Sequence, residues 1–395
     1  MRADPLFGPA SEVDLEGFLR EIRALRAEIR ADLGPDDRAH LELMERCGRG
    51  ATALGLATAW MGPNPVSMLG LALGRSVRWM LMHHIGHRGY DRVPGIAPRH
   101  TSAVFARGWR RWLDWPDWIH PDAWCHEHNV LHHSFTGEDD DPDQFERNTE
   151  WVNELPKPAR WALLAGLTAT WRQSYYAQGT MREWMSRKGA KATRRAERDA
   201  ARPETGERER QPDGAAAQLG GAREGARKPT EWEVRRAVLV KCWLPYAAYH
   251  LAALPLLYAP LGPLAVGSAA INSLVADVLT NVHTFLVVGP NHAGEDLFRF
   301  DARPKDKAEY YARQVWGSTN YATGTELIDF LHLFLNYQIE HHLFPDVPML
   351  QYRKVQPKVK ALCERYGLPY VQESVFTRFR KMADVFVGDA VMKRA

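Results

Sequence analysis

The chain has 395 residues, enough for one large core or two domains, and its net charge of +3 gives no general nucleic-acid signature. Its four cysteines, Cys47, Cys125, Cys242 and Cys363, form no Cys-x-x-Cys pair, so the sequence indicates neither a zinc ribbon nor a disulfide framework. A reducing compartment is therefore expected. The N-terminus shows no pattern of a cleavable signal peptide.

The first predicted element is an amphipathic helix over residues 11–33, with Ser11 and Asp14 placed like a capping box. Arginine and glutamate fill one face of this helix. The apolar face consists of Leu15, Phe18, Leu19, Ile22, Leu25, Ile29 and Leu33. We expect this face to pack on the protein's own cytosolic part rather than on a membrane surface.

Two pairs of apolar segments predict two transmembrane hairpins. Residues 51–61 and 66–82 flank a Gly-Pro-Asn-Pro turn, and residues 237–258 and 264–288 flank an Ala-Pro-Leu-Gly-Pro turn. Each segment of the second pair reaches the roughly 20 residues that a spanning helix needs. The first pair is shorter and contains Arg75 and Arg78. We expect it to span the membrane with these arginines snorkelling to the interface, and the alternative is a hairpin that dips only partway into the bilayer.

A long polar region, residues 83–233, separates the hairpins and contains a helix-like stretch over 159–171. Its basic bias predicts a cytoplasmic location, and two hairpins then bring both termini to that side. Residues 187–229 are rich in Ala, Gly, Arg and Glu, which predicts a disordered or loosely helical insert. The predicted division is an interfacial helix in 1–46, the first hairpin in 47–186, the insert in 187–229, the second hairpin in 230–350 and a helical tail in 351–395.

Histidine clusters at the ends of the hairpins predict a metal site, because imidazole is a ligand for iron, copper and zinc. His83 and His87 are four residues apart and project from one face of a helix, so both can reach one ion. His128 and His132 repeat this spacing. His133 points away from them and can reach a neighbouring ion, so the spacing predicts two ions.

A third cluster offers Gln338, His341 and His342 on one short helical arc. Two ions with six ligands each need more donors than these clusters supply. His292, just past the fourth apolar segment, is therefore a further ligand candidate, and His283 is its rival.

Carboxylates follow the second cluster, and Asp141 and Asp143, which flank Pro142, are the expected partners of ligand histidines. A metal-bound histidine usually donates its other ring N–H to a carboxylate or carbonyl, which fixes the orientation of the ring. These two residues are therefore predicted to lie just outside the ligand set.

Missing motifs narrow the choice of metal. The sequence has neither the Glu-x-x-His pairs of soluble di-iron bundles nor the His-Glu-x-x-His motif of zinc proteases. A single catalytic zinc also needs only about three protein ligands. A histidine-rich pair of irons fits the number of donors better. A non-catalytic protein that stores or transports metal is the alternative, although few ionisable residues, among them Lys241, His250 and Asp277, lie within the second hairpin.

The three clusters resemble the histidine boxes of the membrane fatty acid desaturase family. His83-x-x-x-His87 is similar to the first box, and His128-Asn129-x-x-His132-His133 with Asp141-Pro142-Asp143 is similar to the second. The third box is similar to residues 338–345, Gln-Ile-Glu-His-His-Leu-Phe-Pro, in the form seen in acyl-lipid and front-end desaturases. The resemblance covers about residues 45–350.

The resemblance implies an all-α integral membrane protein with about four spans, whose cytosolic helical cap carries a di-iron site. It implies an enzyme that uses O2 and two electrons to insert a double bond into an acyl lipid, acyl-CoA or acyl-carrier substrate. Electrons would come from a separate ferredoxin, rubredoxin or cytochrome b5 with its reductase, because the sequence has no His-Pro-Gly-Gly haem segment. Exposed Arg99, Arg107, Arg110 and Arg111 are candidates for docking that carrier.

One spacing keeps a second reaction open. Three residues separate His128 from the His132-His133 doublet, where desaturases commonly have two, and this longer spacing is similar to that of membrane alkane hydroxylases. Hydroxylation on the same scaffold is therefore the alternative activity.

Overall fold

The computed structural model describes residues 13–200 and 228–395. Helices dominate this part of the chain, as the all-α prediction expected. The α-helices are α1 Leu15–Asp32, α2 Pro35–Thr58, α3 Pro65–Gly86, α4 Arg111–Asp114, α5 Pro121–His126, α6 His133–Phe135, α7 Phe145–Thr149, α8 Lys157–Trp171, α9 Ala177–Ala200, α10 Glu231–Val238, α11 Leu244–Ala247, α12 Leu254–Leu256, α13 Pro263–Val288, α14 Lys307–Trp316, α15 Glu326–Leu331, α16 Gln338–Leu343, α17 Met349–Arg365 and α18 Val375–Val387.

Shorter elements connect these helices. Turns with π-type hydrogen bonds are Glu127–His132, Arg172–Tyr176, Leu239–Trp243 and Ala248–Ala253. Turns of 3₁₀ type are Pro98–His100, Gly108–Arg110, Glu150–Glu154, Ala259–Leu261 and Gly289–His292. Four two-residue strands form two parallel pairs, β1 Phe298–Arg299 with β4 Lys393–Arg394 and β2 Asn320–Tyr321 with β3 Gln372–Glu373.

The N-terminal helix α1 packs on the protein itself, against α14 and α17, which confirms the expected placement. Phe18, Ile22 and Leu25 on its apolar face are buried. The Asp14 carboxylate caps the helix by accepting a hydrogen bond from the backbone N–H of Gly17 at 2.7 Å. Ser11, the other predicted cap residue, lies outside the described residues.

Helices α2 and α3 form the first hairpin and approach each other closely at glycines. A Cβ atom on Gly55 would lie 2.7 Å from the backbone nitrogen of Leu71, and one on Gly70 would lie 2.7 Å from the carbonyl of Ala51. Small residues at such crossings allow two helix backbones to pack directly. The side chain of Asn64 caps α3 by accepting from the Ser67 N–H at 2.8 Å.

The second hairpin consists of two helices long and apolar enough to cross a membrane, Glu231–Leu256 and Pro263–His292. The first of them contains two π-type turns, which precede Pro245 and Pro255. Proline lacks an N–H and displaces the carbonyl four residues earlier, so the helix changes its hydrogen-bond register there. The carbonyl of Lys241, freed in this way, accepts a hydrogen bond from Arg111 at 2.7 Å.

Among the described helices, α2 and α3 do not meet the same test of length and apolarity. Two of the about four expected spans therefore have support from length and composition, and the other two stay a prediction. The predicted helix over 159–171 is present as α8, which packs against α13.

Arg75 does not snorkel to an interface, so that expectation was wrong. Its guanidinium is buried between α3 and α13 and donates to the carbonyl and the hydroxyl of Ser273 at 2.8 and 2.6 Å. Asp277 lies 3.9 Å away and also accepts from Arg172 at 2.9 Å. Arg172 in turn donates to Asp117 at 2.6 Å. The charge is tolerated because its partners are supplied by other helices.

The four arginines expected to form a free docking surface all have partners. Arg99 pairs with Glu45, Arg107 with Asp122 and Arg110 with Asp114. Arg111 is buried and donates to backbone carbonyls. The surface therefore has less free positive charge than the sequence suggested, because acidic residues both near and far in the chain neutralise it.

The predicted disordered insert begins inside helix α9, which continues to Ala200. Alanine, arginine and glutamate are good helix formers, in agreement with the loosely helical alternative for residues 187–200. Residues 201–227 of the insert lie outside the described residues.

Replacing Arg172 by methionine is expected to lower the free energy of unfolding by about 3–5 kcal/mol, since it leaves the buried Asp117 carboxylate without its cation and Asp277 with only Arg75, 3.9 Å away. Thermal unfolding of the detergent-purified protein measures the effect. Lys157→Met is the control, because it removes only the exposed ion pair with Asp389 and should cost less than about 1 kcal/mol. Equal destabilisation by both variants would contradict the structural role assigned to Arg172.

Candidate metal centre

Histidines from three distant segments meet where α3 leaves the first hairpin. His83, His87, His128 and His341 are buried, and their ligand atoms all lie within 4.8 Å of one another. The first two come from the end of α3, the third from the π-type turn after α5, and the last from α16. We call these four residues the first histidine group.

A second histidine group lies beside the first and consists of His132, His292 and His342, whose ligand atoms also lie within 4.8 Å of one another. His133 lies between the two groups. Its Nε2 atom is 3.1 Å from Nε2 of His341, and its ring stacks on that of His342 at 4.3 Å.

The division between the groups differs from the sequence expectation for the second cluster. His128 belongs to the first group and His132 to the second, although the i,i+4 spacing suggested that both reach one ion. The π-type hydrogen bonding of residues 127–132 changes the angle between successive side chains, which places His133 rather than His132 near the first group. Periodicity calculated for an α-helix does not apply to this turn.

The structure distinguishes His292 from its rival. His292 lies in the second group, and its Nε2 atom is 2.8 Å from the side-chain nitrogen of Gln338, which brings that predicted ligand to the group as well. His283 is engaged elsewhere, with Nδ1 2.9 Å from the Ser76 hydroxyl and Nε2 2.7 Å from the Leu331 carbonyl. Neither of its ring nitrogens is available to the histidine groups.

The ring nitrogens of the two histidine groups are suited to bind metal ions. Within the described part of the chain, the buried Nε2 atoms of His87, His128 and His342 have no hydrogen-bond partner. Burial, and then the neighbouring imidazoles, lower the pKa of His87 and His128 well below the usual range, so both rings are neutral. Neutral imidazoles with free ring nitrogens are the form that binds transition metals.

Hydrogen bonds at Nδ1 fix the orientation of several of these rings. His132 Nδ1 is 3.0 Å from the Asp141 carboxylate, His341 Nδ1 is 3.0 Å from the Tyr352 hydroxyl and His292 Nδ1 is 2.8 Å from the Gly317 carbonyl. Burial alone would lower the pKa of His132, but the Asp141 carboxylate outweighs it and raises that pKa. Such outer partners are typical of metal-binding histidines.

Asp143, the second predicted carboxylate, lies in a different position. Its ligand atoms lie within 4.8 Å of those of Glu127 and His128, and it accepts a hydrogen bond from the Tyr176 hydroxyl at 3.3 Å. Burial raises the pKa of Glu127 well above its usual range, and the neighbouring Asp143 carboxylate raises it further. Burial and the neighbouring carboxylate therefore both favour the protonated form of Glu127.

Some residues that contact the histidines carry no signal in the sequence. Tyr176 and Tyr352 come from separate segments, and the Gln314 side-chain oxygen lies 3.0 Å from His342 Nδ1. None of them belongs to a motif. Only the fold brings these residues to the histidine groups.

An apolar cavity of about 1110 Å³ opens from the histidine groups. Its metal-centre end includes His83, His128, His132 and His292. The remaining wall comes largely from α8, α13 and α18 and the segments beside them, and it consists of aromatic and aliphatic side chains. The apolar side chains of this wall include Leu163, Leu167, Trp171, Phe285, Val288 and Phe386.

The sequence of this chain is similar to those of known proteins. The family model described as "Fatty acid desaturase" matches residues 58–374. The chain is 33% identical over 112 residues to NADPH-dependent stearoyl-CoA 9-desaturase of Mycobacterium tuberculosis, an alignment that covers 28% of this chain and 26% of that protein. It is 36% identical over 102 residues to Delta(5) fatty acid desaturase of Caenorhabditis elegans, covering 26% of this chain and 21% of that one.

A third relative, Acyl-lipid (8-3)-desaturase of Rebecca salina, is 47% identical over 55 residues, covering 14% of this chain and 12% of that protein. The chain thus aligns with about a quarter or less of the length of these relatives. No solved structure matches the chain.

His292→Ala is expected to lose about one of two bound metal ions, because it removes a donor from the three-histidine second group. His283→Ala is the matched control and should keep both, since both of its ring nitrogens are bonded elsewhere. Elemental analysis of the purified variants after loading with Fe(II) measures the difference. Loss of metal from the His283 variant alone would reverse the assignment.

Asp141→Asn is expected to weaken metal binding about 10- to 100-fold, since it removes the carboxylate that orients His132. Competitive Fe(II) titration with a chromophoric chelator measures the affinity. Asp139→Asn, an exposed site in the same loop, controls for loss of charge. A change of less than about twofold for Asp141→Asn would show that His132 needs no carboxylate.

Proposed function

Because this chain belongs to the fatty acid desaturase family, we propose that it introduces a double bond into a fatty acyl chain at a pair of iron ions. The observation that carries the proposal is the opening of both histidine groups into one apolar cavity. A methylene segment in that cavity reaches the metal centre without leaving apolar surroundings.

The histidine groups define the ligand set of the proposal. His83, His87, His128 and His341 would hold one ion, and His132, His292, His342 and Gln338 the other, with His133 between them. Two irons would supply the activation of O2 that removal of hydrogen from an unactivated carbon requires. Asp141 would keep the His132 ring in place.

The cavity binds the acyl chain through apolar contacts. Leu163 and Leu167 of α8 and Phe285 and Val288 of α13 line it. Burying each methylene group there contributes about 0.8 kcal/mol to binding.

The pair of Glu127 and Asp143 gives this end of the cavity a proton that the protein itself holds. Asp143 and Tyr176 both line the cavity, and the Tyr176 hydroxyl donates to Asp143. The reduction of O2 consumes protons, so a buried carboxyl group with a raised pKa is suited to deliver one. Trp171 and Phe386 restrict the access of water to the same space.

The proposal includes an integral membrane location with the metal centre on the cytoplasmic face. Two apolar helices support membrane insertion, and large apolar side chains on them, including Leu244, Leu264 and Leu274, are exposed as lipid contacts would be. Electrons would come from a separate carrier of the ferredoxin, rubredoxin or cytochrome b5 type. The substrate carrier is an acyl lipid, acyl-CoA or acyl-carrier protein.

Expression in a host that makes only saturated acyl chains tests the proposal. We expect new acyl chains that lack two hydrogens, detected by mass spectrometry of total lipids, and about two irons per purified chain. His341→Ala should abolish the product while the protein still inserts in the membrane. His332→Ala, whose Nδ1 bonds the Ile328 carbonyl outside the groups, should keep it.

The other outcomes separate the alternatives. Acyl chains that gain one oxygen would establish the hydroxylase, which the longer spacing from His128 to His132 favours. A protein that binds zinc in stoichiometric amounts and no iron would exclude both oxidations. Unchanged activity of His341→Ala would remove that residue from the ligand set.

A further inference from the structure

A second cavity, of about 550 Å³, lies where the four hairpin helices cross. Its wall combines residues of α2, α3, the helix Glu231–Leu256 and α13, and no member of either histidine group lines it. It is therefore separate from the cavity at the metal centre. Most of its surface is apolar, from side chains such as Leu56, Leu71 and Leu254.

The ionic network beside this cavity is already balanced. Arg75 and Arg172 are two buried cations, and Asp117 and Asp277 are two buried anions that pair with them. The donors of Arg75 are also engaged by the carbonyl and hydroxyl of Ser273. Both anions of this network are thus already paired, and neither is available to a third arginine.

That third arginine is Arg78, one helical turn beyond Arg75 on α3, and its side chain lines the cavity. Among the residues that the structure describes, no carboxylate lies within 4.0 Å of the Arg78 guanidinium. Its neighbour is the hydroxyl of Tyr249. A guanidinium among apolar side chains is costly unless an anion accompanies it.

We propose that this cavity binds an amphiphilic anion, with an oxyanion head on Arg78 and Tyr249 and an apolar tail between α2 and the helix Glu231–Leu256. The head is a carboxylate or a phosphate, since a guanidinium pairs with both through two parallel hydrogen bonds. Free fatty acids and anionic phospholipids both supply such a group. The site is distinct from the substrate cavity of the proposed function and does not depend on it.

Photolabelling of the full-length protein in nanodiscs tests the proposal. The probes are diazirine-bearing palmitic acid, diazirine-bearing phosphatidylglycerol and the uncharged methyl ester of the first. Peptide mapping is expected to place label on residues 52–59 and 249–258 with at least one anionic probe. The anionic probe that labels these peptides identifies the source of the head group.

Arg78→Gln is expected to weaken this labelling about tenfold or more, the range for losing a charged hydrogen-bond partner. Arg78→Lys keeps the charge and should retain most of the label, which also shows that a change at this position permits folding. Arg236→Gln removes an exposed arginine near the start of the helix Glu231–Leu256 and should have no effect. Label in the metal-centre cavity, on residues 145–171, should be unaffected by all three variants.

Three results would overturn the proposal. The first is equal labelling of these peptides by the methyl ester, and the second is unchanged labelling of Arg78→Gln. The third is a loss in Arg78→Lys as large as that in Arg78→Gln, which would show that charge is not what the site recognises.

Discussion

The architecture depends on one constraint: many imidazoles must stay uncharged, close to one another and buried away from solvent. Charged rings at these separations would repel one another, so burial must hold them neutral, and their lone pairs must then face common points. His87 and His128 meet the first condition through the low pKa that burial causes. The second condition requires three segments to end at the same place: helix α3, the π-type turn Glu127–His132, and helix α16. Much of the surrounding helical structure serves to position these three ends.

Sequence patterns predict the parts of the site that lie on one local segment. The three histidine clusters, His292 and Asp141 all stand where the structure brings them together, because each is marked by spacing, by a neighbouring ligand or by its place after an apolar segment. The division of His128 from His132 could not be predicted, since it depends on a π-type turn that composition does not reveal. Tyr352 and Gln314 could not be found either, because only the tertiary fold brings them to the histidines.

The same limit applies to charge within the helical hairpins. From hydropathy alone, Arg75 is an unpaired cation and is expected to reach water. In the structure, its partner Ser273 and the neighbouring Asp277 lie on another helix, about two hundred residues later in the chain. Two arginines and two aspartates buried together are far less costly than any one of them alone. Such networks lower the mean apolarity of the helices that carry their members.

The contact of α1 with the region that follows α16 has a consequence for how the protein matures. Arg26 of α1 donates to the Leu343 carbonyl at 2.9 Å and pairs with Asp346, which fastens the end of α16 to a helix that lies much earlier in the chain. Helix α16 also packs against α17, which follows it in the chain. The histidines of the first two clusters thus leave the ribosome well before those of α16, so neither group is complete until α16 has been synthesised. A product that ends before α16 therefore carries only part of each histidine group.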